Sequence, residues 1–385
     1  MSVTAAGGYV AGGMGCGIKP SGAPDLAIVA TEDRVPAVAA GVFTSNLAQA
    51  APVQVSTQHL ADGRAAAVVL SSGNANAATG ERGRTDARRM CALTGDALGV
   101  AATDVLVCST GLIGFPMPMD ALEAGIPKLG AAVSSAGGLD AARAIMTTDT
   151  VPKEAVATAG AVTVGGMAKG AAMLAPAMAT MLAVCTTDAG VDHATLQHAL
   201  AAAVGETFDC LLVDGSRSTN DTVLVLANGR AGEISAHALT DALAEVCGSL
   251  AEQMARDAEG ATKFVRVNVV GARSLGDARV AARAVANSQL VQCSLNGEDP
   301  YWGRVLSELG ASGALIDPER VAIAYSGVTV CREGVAAPHD AAALAQAMAA
   351  GDIEIRCDLG LAHGDATVLT TDLSHAYIDE NRTTS

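Results

Sequence analysis

The sequence predicts a layered α/β fold, and three observations lead to that class. Short apolar runs typical of buried strands alternate with longer segments whose apolar residues recur at helical spacing. No period of about 20–50 residues repeats, which disfavours solenoids and propellers. With 385 residues, half of them hydrophobic, the chain is long enough for one large α/β unit or for two core regions.

The predicted strands are runs of Val, Ile, Leu and Ala, and the predicted helices are longer segments with a period near 3.6. In chain order the strands are Asp25–Ala30, Val38–Phe43, Ala66–Leu70, Val105–Cys108, Leu211–Val213, Val223–Leu226, Phe264–Val270 and Val321–Tyr325. The helices are Asp86–Leu98, Met119–Leu129, Leu139–Met146, His193–Val204, His237–Asp257 and Asp277–Val285. The clearest amphipathic helix is His237–Asp257, because Leu239, Leu243, Val246, Leu250 and Met254 share one face.

Two further local predictions concern the second half of the chain. Glu259–Thr262 and Gly310–Pro318 are candidate joints between structural units. Asp299 followed by Pro300 is typical of a helix start, with Asp299 as the cap and Pro300 at the first helical position.

Composition narrows the range of partners. Aromatic residues make up only 2% of the chain, so small side chains and 42 glycines must fill the core by close backbone packing. The formal net charge of −16 disfavours binding to nucleic acid, which needs clustered Lys and Arg. We therefore expect no nucleic-acid partner.

Nine scattered cysteines form no C-x-x-C pair, which indicates reduced core thiols in a reducing compartment and predicts a cytoplasmic protein. The chain has no charged start followed by an apolar signal core. The uncharged run 170–187 is a transmembrane candidate by length alone, but it is rich in Ala, Gly and Thr and contains Pro176. We interpret it as buried backbone and expect no membrane span.

The sequence predicts neither a metal nor a bound nucleotide cofactor. The glycine-rich N-terminal stretch contains no phosphate-binding loop motif. The seven histidines are dispersed, and no His, Cys or Asp cluster has metal-ligand spacing.

Thr180 is the most informative residue, because it lies inside that uncharged run with no base beside it in the sequence. Cleavage of the Ala179–Thr180 bond would place a new α-amine next to the threonine hydroxyl. A free α-amine has a pKa of about 7.7–8.0, so it can accept the hydroxyl proton near neutral pH. The plain alternative is a threonine in a buried strand.

The chain resembles the self-cleaving ornithine acetyltransferases, also called glutamate N-acetyltransferases, nearly from end to end. The most specific segment, Met167–Ala189, surrounds Thr180. The other matching segments are Gly17–Gly22, Ser72–Asn76, Thr79–Glu81, Ser109–Gly114, Ala144–Asp149, Ser218–Thr222, Glu259–Lys263, Gly297–Pro300 and Asp372–His375. Their order and spacing together carry the resemblance.

The resemblance implies cleavage between Ala179 and Thr180, giving chains 1–179 and 180–385. It implies a layered α/β sandwich with an N-terminal-nucleophile-like arrangement, in which the two chains stay intertwined. Met181–Thr187 would be a central strand. The expected assembly is a heterotetramer of two α and two β chains.

The resemblance also assigns site residues. Thr180 would be the nucleophile, and the Thr110 hydroxyl and Gly111 N–H would form the oxyanion hole. The residues implied to bind substrate are Thr147, Lys169, Thr180, Glu259, Asn381 and the terminal Ser385, with Thr384 as the alternative. Without the resemblance, Ser109–Gly111 reads as an ordinary strand-to-turn break, Lys169 as a lysine reaching solvent from a strand end, and Glu259 as a solvated acid at a helix end.

Three departures from the family pattern bear on the acceptor. Gln292 replaces a usual lysine, Tyr301 a usual asparagine, and the chain stops four residues after Asn381 rather than five. The implied function is acetyl transfer from N2-acetylornithine to glutamate in arginine biosynthesis, and the sequence leaves open whether acetyl-CoA is also a substrate. The alternatives are a paralogous acetyltransferase with another amino-acid substrate and an aminopeptidase-like hydrolase.

Overall fold

The computed structural model describes residues 2–173 and 181–382. Within them the chain divides into two compact units, the described parts of Met1–Asp209 with Ser216–Met254, and Cys210–Gly215 with the described part of Ala255–Ser385. The unit boundary lies close to the predicted joint Glu259–Thr262. The second predicted joint is wrong, because Gly310–Pro318 lies inside unit 2 and overlaps the end of a helix.

Unit 1 contains two sheets, called sheet A and sheet B. Sheet A has the order β1-β2-β5-β6, and sheet B the order β4-β3-β10-β9-β8-β7. Their strands are β1 (Tyr9–Met14), β2 (Leu26–Thr31), β3 (Ala37–Phe43), β4 (Arg64–Ala65), β5 (Ala67–Asn74), β6 (Val105–Leu112), β7 (Lys153–Ala159), β8 (Val162–Lys169), β9 (Leu182–Gly190) and β10 (Thr222–Glu233). The helices are α1 (Ala51–His59), α2 (Gly80–Leu98), α3 (Met119–Gly130), α4 (Gly138–Ala144), α5 (His193–Glu206) and α6 (Ala236–Arg256).

Unit 1 is built in layers because alternate residues of each strand point to opposite faces. Val29 of sheet A and Val184 of sheet B belong to one buried cluster between the two sheets. Ile28, on the other face of β2, packs in a cluster with residues of α1, α2 and α3. On the outer face of sheet B, Gly166 lies against Val246 of α6. The predicted α/β layering is confirmed.

Strand β9 is a central strand of sheet B, as the resemblance implied for Met181–Thr187. It pairs in parallel with β10 and antiparallel with β8. Every residue from Leu182 to Ala189 is buried. Strands β3, β4, β7 and β8 precede position 180 and β9 and β10 follow it, so sheet B is built from both sides of the predicted cut.

Unit 2 contains sheet C, with the strand order β14-β13-β12-β15-β11-β16. Its strands are β11 (Phe264–Ala272), β12 (Ala322–Tyr325), β13 (Val328–Arg332), β14 (Val335–Ala336), β15 (Asp352–Asp358) and β16 (Gly364–Thr371). The helices are α7 (Leu275–Ala286), α8 (Gln289–Asn296), α9 (Trp302–Ala311), α10 (Ala341–Ala349) and α11 (His375–Asn381). One apolar cluster joins the sheet to α7, α8, α9 and α10, with Val267, Ala282, Leu309 and Met348 among its members.

Three local predictions need correction. Leu211–Val213 is not a strand, since only an isolated bridge joins Leu211 to Leu369. Helix α9 begins at Trp302 with Tyr301 as its cap, so neither Asp299 nor Pro300 has the predicted capping role. Cys293 is exposed, so it is not a core thiol. The amphipathic helix is confirmed, because its five apolar positions are all buried in α6.

Candidate active site

Met181, the residue before β9, is hydrogen-bonded through both of its backbone groups to residues at or just before the start of β10. The Met181 N–H donates to Asp221 Oδ1 at 3.0 Å, and the Met181 carbonyl accepts from the Thr222 N–H at 3.2 Å. Met181 itself is buried. The predicted nucleophile Thr180 and the other side of the predicted cut, Ala179, lie outside the described residues. Met181, which follows them and directly precedes β9, is therefore held in a fixed position.

Lys169 ends β8 directly beside the start of β9, where it pairs with Leu182. Its side chain is only 3% exposed, and its Nζ lies 3.8 Å from Asp149 Oδ2. The fully buried Lys153 makes a second, shorter contact to the same carboxylate, at 2.7 Å. Lys169 is therefore not a lysine that reaches solvent from a strand end.

Asp149 brings two of the predicted substrate-binding residues together. Its Oδ2 accepts from the Thr147 N–H at 3.0 Å and its Oδ1 from the Gly170 N–H at 2.7 Å. Burial alone would raise the Asp149 pKa, but Lys169, Lys153 and these hydrogen bonds outweigh burial and lower that pKa well below its usual range. Thr147 and Lys169 thus lie around one buried carboxylate.

Replacing Asp149 with asparagine is expected to lower the free energy of unfolding by about 3 kcal/mol at pH 7, because two buried lysines lose their shared anion. Since the folded-state pKa is depressed, the Asp149 contribution is present above the unfolded pKa of about 4 and is lost as pH falls through the folded value. Urea unfolding at pH 7 and pH 3 should therefore show a smaller gap between variant and wild type at pH 3. The exposed Asp140→Asn is the control; equal effects from both variants would contradict a buried charge cluster.

Thr110 and Gly111 lie in the last part of β6, not in a turn. The strand continues to Leu112, which corrects the predicted strand-to-turn break after Cys108. The pairing with β5 becomes irregular at Gly73 and Asn74, opposite Gly111. Gly111 has φ +126°, and a Cβ there would lie 2.3 Å from the carbonyl carbon of Gly73, so only glycine fits. Such a bulge redirects backbone groups away from regular strand pairing.

Two side chains that had no role assigned from the sequence hold the segments next to Thr110 and Thr147. The Asn220 amide donates to the Ser109 carbonyl at 2.8 Å and to the Ala75 carbonyl at 2.6 Å, linking the approach to β10 with sheet A. Lys19 Nζ donates to the Met146 carbonyl at 2.7 Å, next to Thr147. Both residues lie in segments that carried the family resemblance, but nothing in the sequence pattern indicated these contacts.

Unit 2 carries the remaining predicted residues. Glu259 is only 9% exposed, and its Oε2 accepts from Asn381 Nδ2 at 2.6 Å. Asn381 ends α11, and its amide also donates to the Tyr377 carbonyl at 3.0 Å. Glu259 and Asn381 are therefore brought together, and Glu259 is not a solvated acid. Ser385 and its alternative Thr384 lie outside the described residues.

Glu259 lines a cleft of about 510 Å³ whose other acidic lining residues are Asp214, Glu308 and Asp372. Gln292 also lines the cleft, but its amide donates to the carbonyls of Val213 and Ala286, so it supports the local backbone. Tyr301 is 56% exposed and is not among the described residues that line this cleft. The acidic lining suits a ligand with an ammonium group.

Over residues 2–173 and 181–382, no group of three His, Cys, Asp or Glu side chains is arranged to hold a metal ion. No helix in that part of the chain is long and apolar enough to cross a membrane.

The described residues form a layered α/β fold with β9 central in a sheet built from both sides of position 180, which is the arrangement that the resemblance to the self-cleaving acetyltransferases implied. The sequence profile of the ArgJ family matches residues 10–383. The Arginine biosynthesis bifunctional protein ArgJ of Symbiobacterium thermophilum is 48% identical over 390 residues, covering 98% of this chain and 97% of that protein. Its counterpart in Streptomyces coelicolor is 47% identical over 382 residues, covering 99% of each. The chain belongs to the ArgJ family.

Two solved structures are similar to this chain. The Arginine biosynthesis bifunctional protein argJ from Bacillus halodurans is 33% identical with a TM-score of 0.50, covering 51% of this chain and 96% of that chain. The ornithine acetyltransferase from Mycobacterium tuberculosis, solved with ornithine, is 45% identical with a TM-score of 0.44, covering 47% of this chain and 96% of that chain.

Proposed function

We propose that this enzyme cuts itself before Thr180 and then transfers the acetyl group of N2-acetylornithine to glutamate, in arginine biosynthesis. The observation that carries the proposal is the family match over nearly the whole chain, together with the placement of Lys169 beside the start of β9. The Bacillus halodurans chain is matched over 96% of its length by about half of this chain, as the product of a cut near the middle would be.

In the proposed reaction the Thr180 hydroxyl oxygen attacks the acetyl carbonyl carbon, and the α-amine of Thr180 takes the hydroxyl proton. The Thr110 hydroxyl and the Gly111 N–H would donate to the oxyanion that forms. The bond between the acetyl carbon and the α-nitrogen of ornithine then breaks, and the proton goes to that nitrogen. The glutamate amine then attacks the acetyl carbon of the acetyl-threonine ester, and the bond from that carbon to the Thr180 oxygen breaks. The proton lost by the glutamate nitrogen returns to the Thr180 oxygen through the α-amine. This scheme needs no cofactor, because protein groups supply the nucleophile, the base and the oxyanion donors.

The two charged regions suit substrates that carry both signs. Lys169 with Thr147 would bind a substrate carboxylate, since a buried ammonium group favours an anionic partner. Glu259 in the acidic cleft would bind the free ammonium group of ornithine, with Asn381 holding the Glu259 carboxylate in place. Ser385, or Thr384, would complete the contact from the chain end.

We further propose that two cleaved protomers pair to a heterotetramer of two α and two β chains acting in the cytoplasm. The family resemblance supports the pairing, and the cysteines, eight of which are buried or half-buried, suit a reducing compartment. Native mass measurement tests the assembly; a stable single αβ pair would contradict it.

An acetyl-donor and acceptor screen on purified protein tests the reaction. We expect acetylglutamate from N2-acetylornithine and glutamate, with an exchange pattern typical of a ping-pong scheme. An arm with acetyl-CoA as donor decides whether that compound is also used. Release of free acetate without an acceptor would support the hydrolase alternative, and transfer to another amino acid would support a paralogous acetyltransferase.

Glu259→Gln is expected to raise KM for N2-acetylornithine about 10–100-fold, because a charge-assisted contact to ammonium contributes about 1.5–3 kcal/mol. The glutamine still offers an oxygen to Asn381, so folding and self-cleavage should be unchanged. Steady-state kinetics with each substrate in turn provide the measurement, with exposed Glu319→Gln as the matched control. Unchanged KM in the Glu259 variant would remove Glu259 from substrate binding.

A further inference from the structure

Asn220 and Asp221 are consecutive buried residues whose side chains reach two different sheets. The Asn220 amide holds the carbonyl of Ser109, the residue before Thr110 in sheet A. The Asp221 carboxylate accepts from the N–H of Met181, which follows Thr180 and directly precedes β9 of sheet B. Two neighbouring side chains thus fix the two strand ends that carry the proposed oxyanion donors and the proposed nucleophile.

The second carboxylate oxygen of Asp221 stands out among buried polar atoms. Asp221 Oδ2 is buried and accepts no hydrogen bond of normal geometry within the described residues, although the hydroxyls of Ser218 and Thr44 lie close to the carboxyl group. A buried acceptor without a partner is rare and costs free energy. Asp221 Oδ2 is therefore available to accept a hydrogen bond from a donor that appears only after cleavage.

The pKa of Asp221 is raised, as expected for a buried carboxyl group. Burial raises the Asp221 pKa to about 8, while the Met181 N–H and the charge of Lys169 partly oppose the rise. Lys169, from β8, is the charged group that faces it. A new ammonium group beside Asp221 would favour the ionised form of the carboxyl group, and the carboxylate would in turn stabilise the ammonium group.

Covalent geometry fixes how far Asp221 lies from the amine that a cut before Thr180 would create. The α-nitrogen of residue 180 and the backbone nitrogen of Met181 are separated by one Cα and one carbonyl carbon. Standard bond lengths hold these two nitrogens within about 3.7 Å of each other in every backbone conformation. Since Asp221 Oδ1 is 3.0 Å from the Met181 nitrogen, covalent geometry allows the new amine to be no farther than about 6.7 Å from that oxygen.

We propose that Asp221 is the positioning residue for the N-terminal nucleophile. Its Oδ1 fixes the Met181 N–H, and its Oδ2 accepts from the α-amine that self-cleavage creates, while Asn220 holds the Ser109 carbonyl next to the proposed oxyanion donors. This inference rests on the proposed self-cleavage and transfer. A purely structural role for Asp221 is the competing explanation, and Asp188 provides the comparison for it.

Asp188 is a matched control because it lies near the C-terminal end of β9, whereas Asp221 contacts the residue before the N-terminal end. Both carboxylates accept hydrogen bonds from backbone N–H groups. Its carboxylate accepts from the N–H groups of Thr163 at 2.7 Å and Gly7 at 3.3 Å. Alanine and asparagine variants are made at both positions in the full chain. Thermal unfolding, the half-time of self-cleavage, and kcat and KM per cleaved site are measured for each.

We expect Asp221→Ala to lower kcat about 100-fold and to slow self-cleavage, with KM within about threefold, because misplacing a reacting group by about 1 Å has an effect of that size. Asp221→Asn keeps one oxygen for Met181, so it should recover part of the rate, to about tenfold below wild type. The Asp188 variants should change the unfolding temperature but leave kcat within about twofold, since they lie away from the reacting groups.

Asn220→Ala is the second variant, should Asp221→Ala fail to fold. It removes the two donors to Ser109 and Ala75 and should lower kcat while leaving KM near wild type. The inference would be overturned if the Asp221 and Asn220 variants kept kcat within about twofold of wild type, as expected for the Asp188 variants. If the wild-type chain itself neither cleaves nor transfers acetyl groups, the proposed function fails instead, so the two failures are distinguishable.

Discussion

Thr180→Ala is expected to leave a single 38.2 kDa chain with no measurable acetyl transfer. One hydroxyl would serve both as the nucleophile of self-cleavage and as the acceptor of the acetyl group, so its removal blocks both steps. Losses on the order of 10⁴–10⁶ in kcat are typical when a nucleophile is removed. Intact-mass analysis and an acetyl-transfer assay measure the two outcomes on the same preparation.

Thr180→Ser should retain part of both activities, because the hydroxyl and the future α-amine remain. Thr163→Ala on neighbouring β8 is the matched control, and this variant should give chains 1–179 and 180–385 like the wild type. A Thr180→Ala enzyme that still turns over would place the nucleophile elsewhere. An uncleaved wild-type chain with full transfer activity would disprove the need for a free α-amine.

Gly111→Ala is expected to lower kcat at least about 100-fold, because one oxyanion donor contributes about 2.7–4 kcal/mol and its backbone position would also shift. The new Cβ would meet the carbonyl carbon of Gly73 at 2.3 Å, which the two paired strands can relieve only by separating. Gly114→Ala is the control, since Gly114 also has positive φ but has nothing within 4 Å of an added Cβ.

The neighbouring Thr110 separates the chemical effect from the steric one. Thr110→Val keeps the shape and removes the hydroxyl, and should lower kcat about 100–1000-fold with little change in unfolding temperature. Thr110→Ser should restore most of the rate. A Thr110→Val enzyme with normal kcat would exclude the hydroxyl as an oxyanion donor.

Much of the α/β layering could be predicted from the sequence, because β2 and β3 are nearly continuous runs of apolar residues, and β11 alternates valines with Arg266 and Asn268. Strands β7 and β8 were not predicted. Gly165 and Gly166 interrupt β8 and weaken its intrinsic preference for a strand. The extended form of β8 depends on its pairing with β7 and β9, which is a tertiary effect that local propensity does not contain.

The site was predictable from the sequence only through the resemblance, which named residues but not the contacts between them. Asp149 gave no signal of its own, yet it joins Thr147 to Lys169. The contact between Asp221 and Met181 spans 40 residues, and that between Asn220 and Ser109 spans 111. The first contact accompanies the pairing of β9 with β10, and the second links the segment before β10 to sheet A. Neither produces a periodic pattern in the sequence.

Sheet B also determines how the processed enzyme could be renatured. Four of its strands come before position 180 and two after it, so a cut there leaves two polypeptides sharing one hydrogen-bonded ladder. Recovery of the uncut Thr180→Ala chain from denaturant is a first-order event within one molecule. Recovery of the cut enzyme requires two different chains to meet, so its rate and yield must depend on their concentration. With the proposed cut, the stability of this enzyme would depend on its folding history, because the chain would fold once as a single polypeptide before it becomes two.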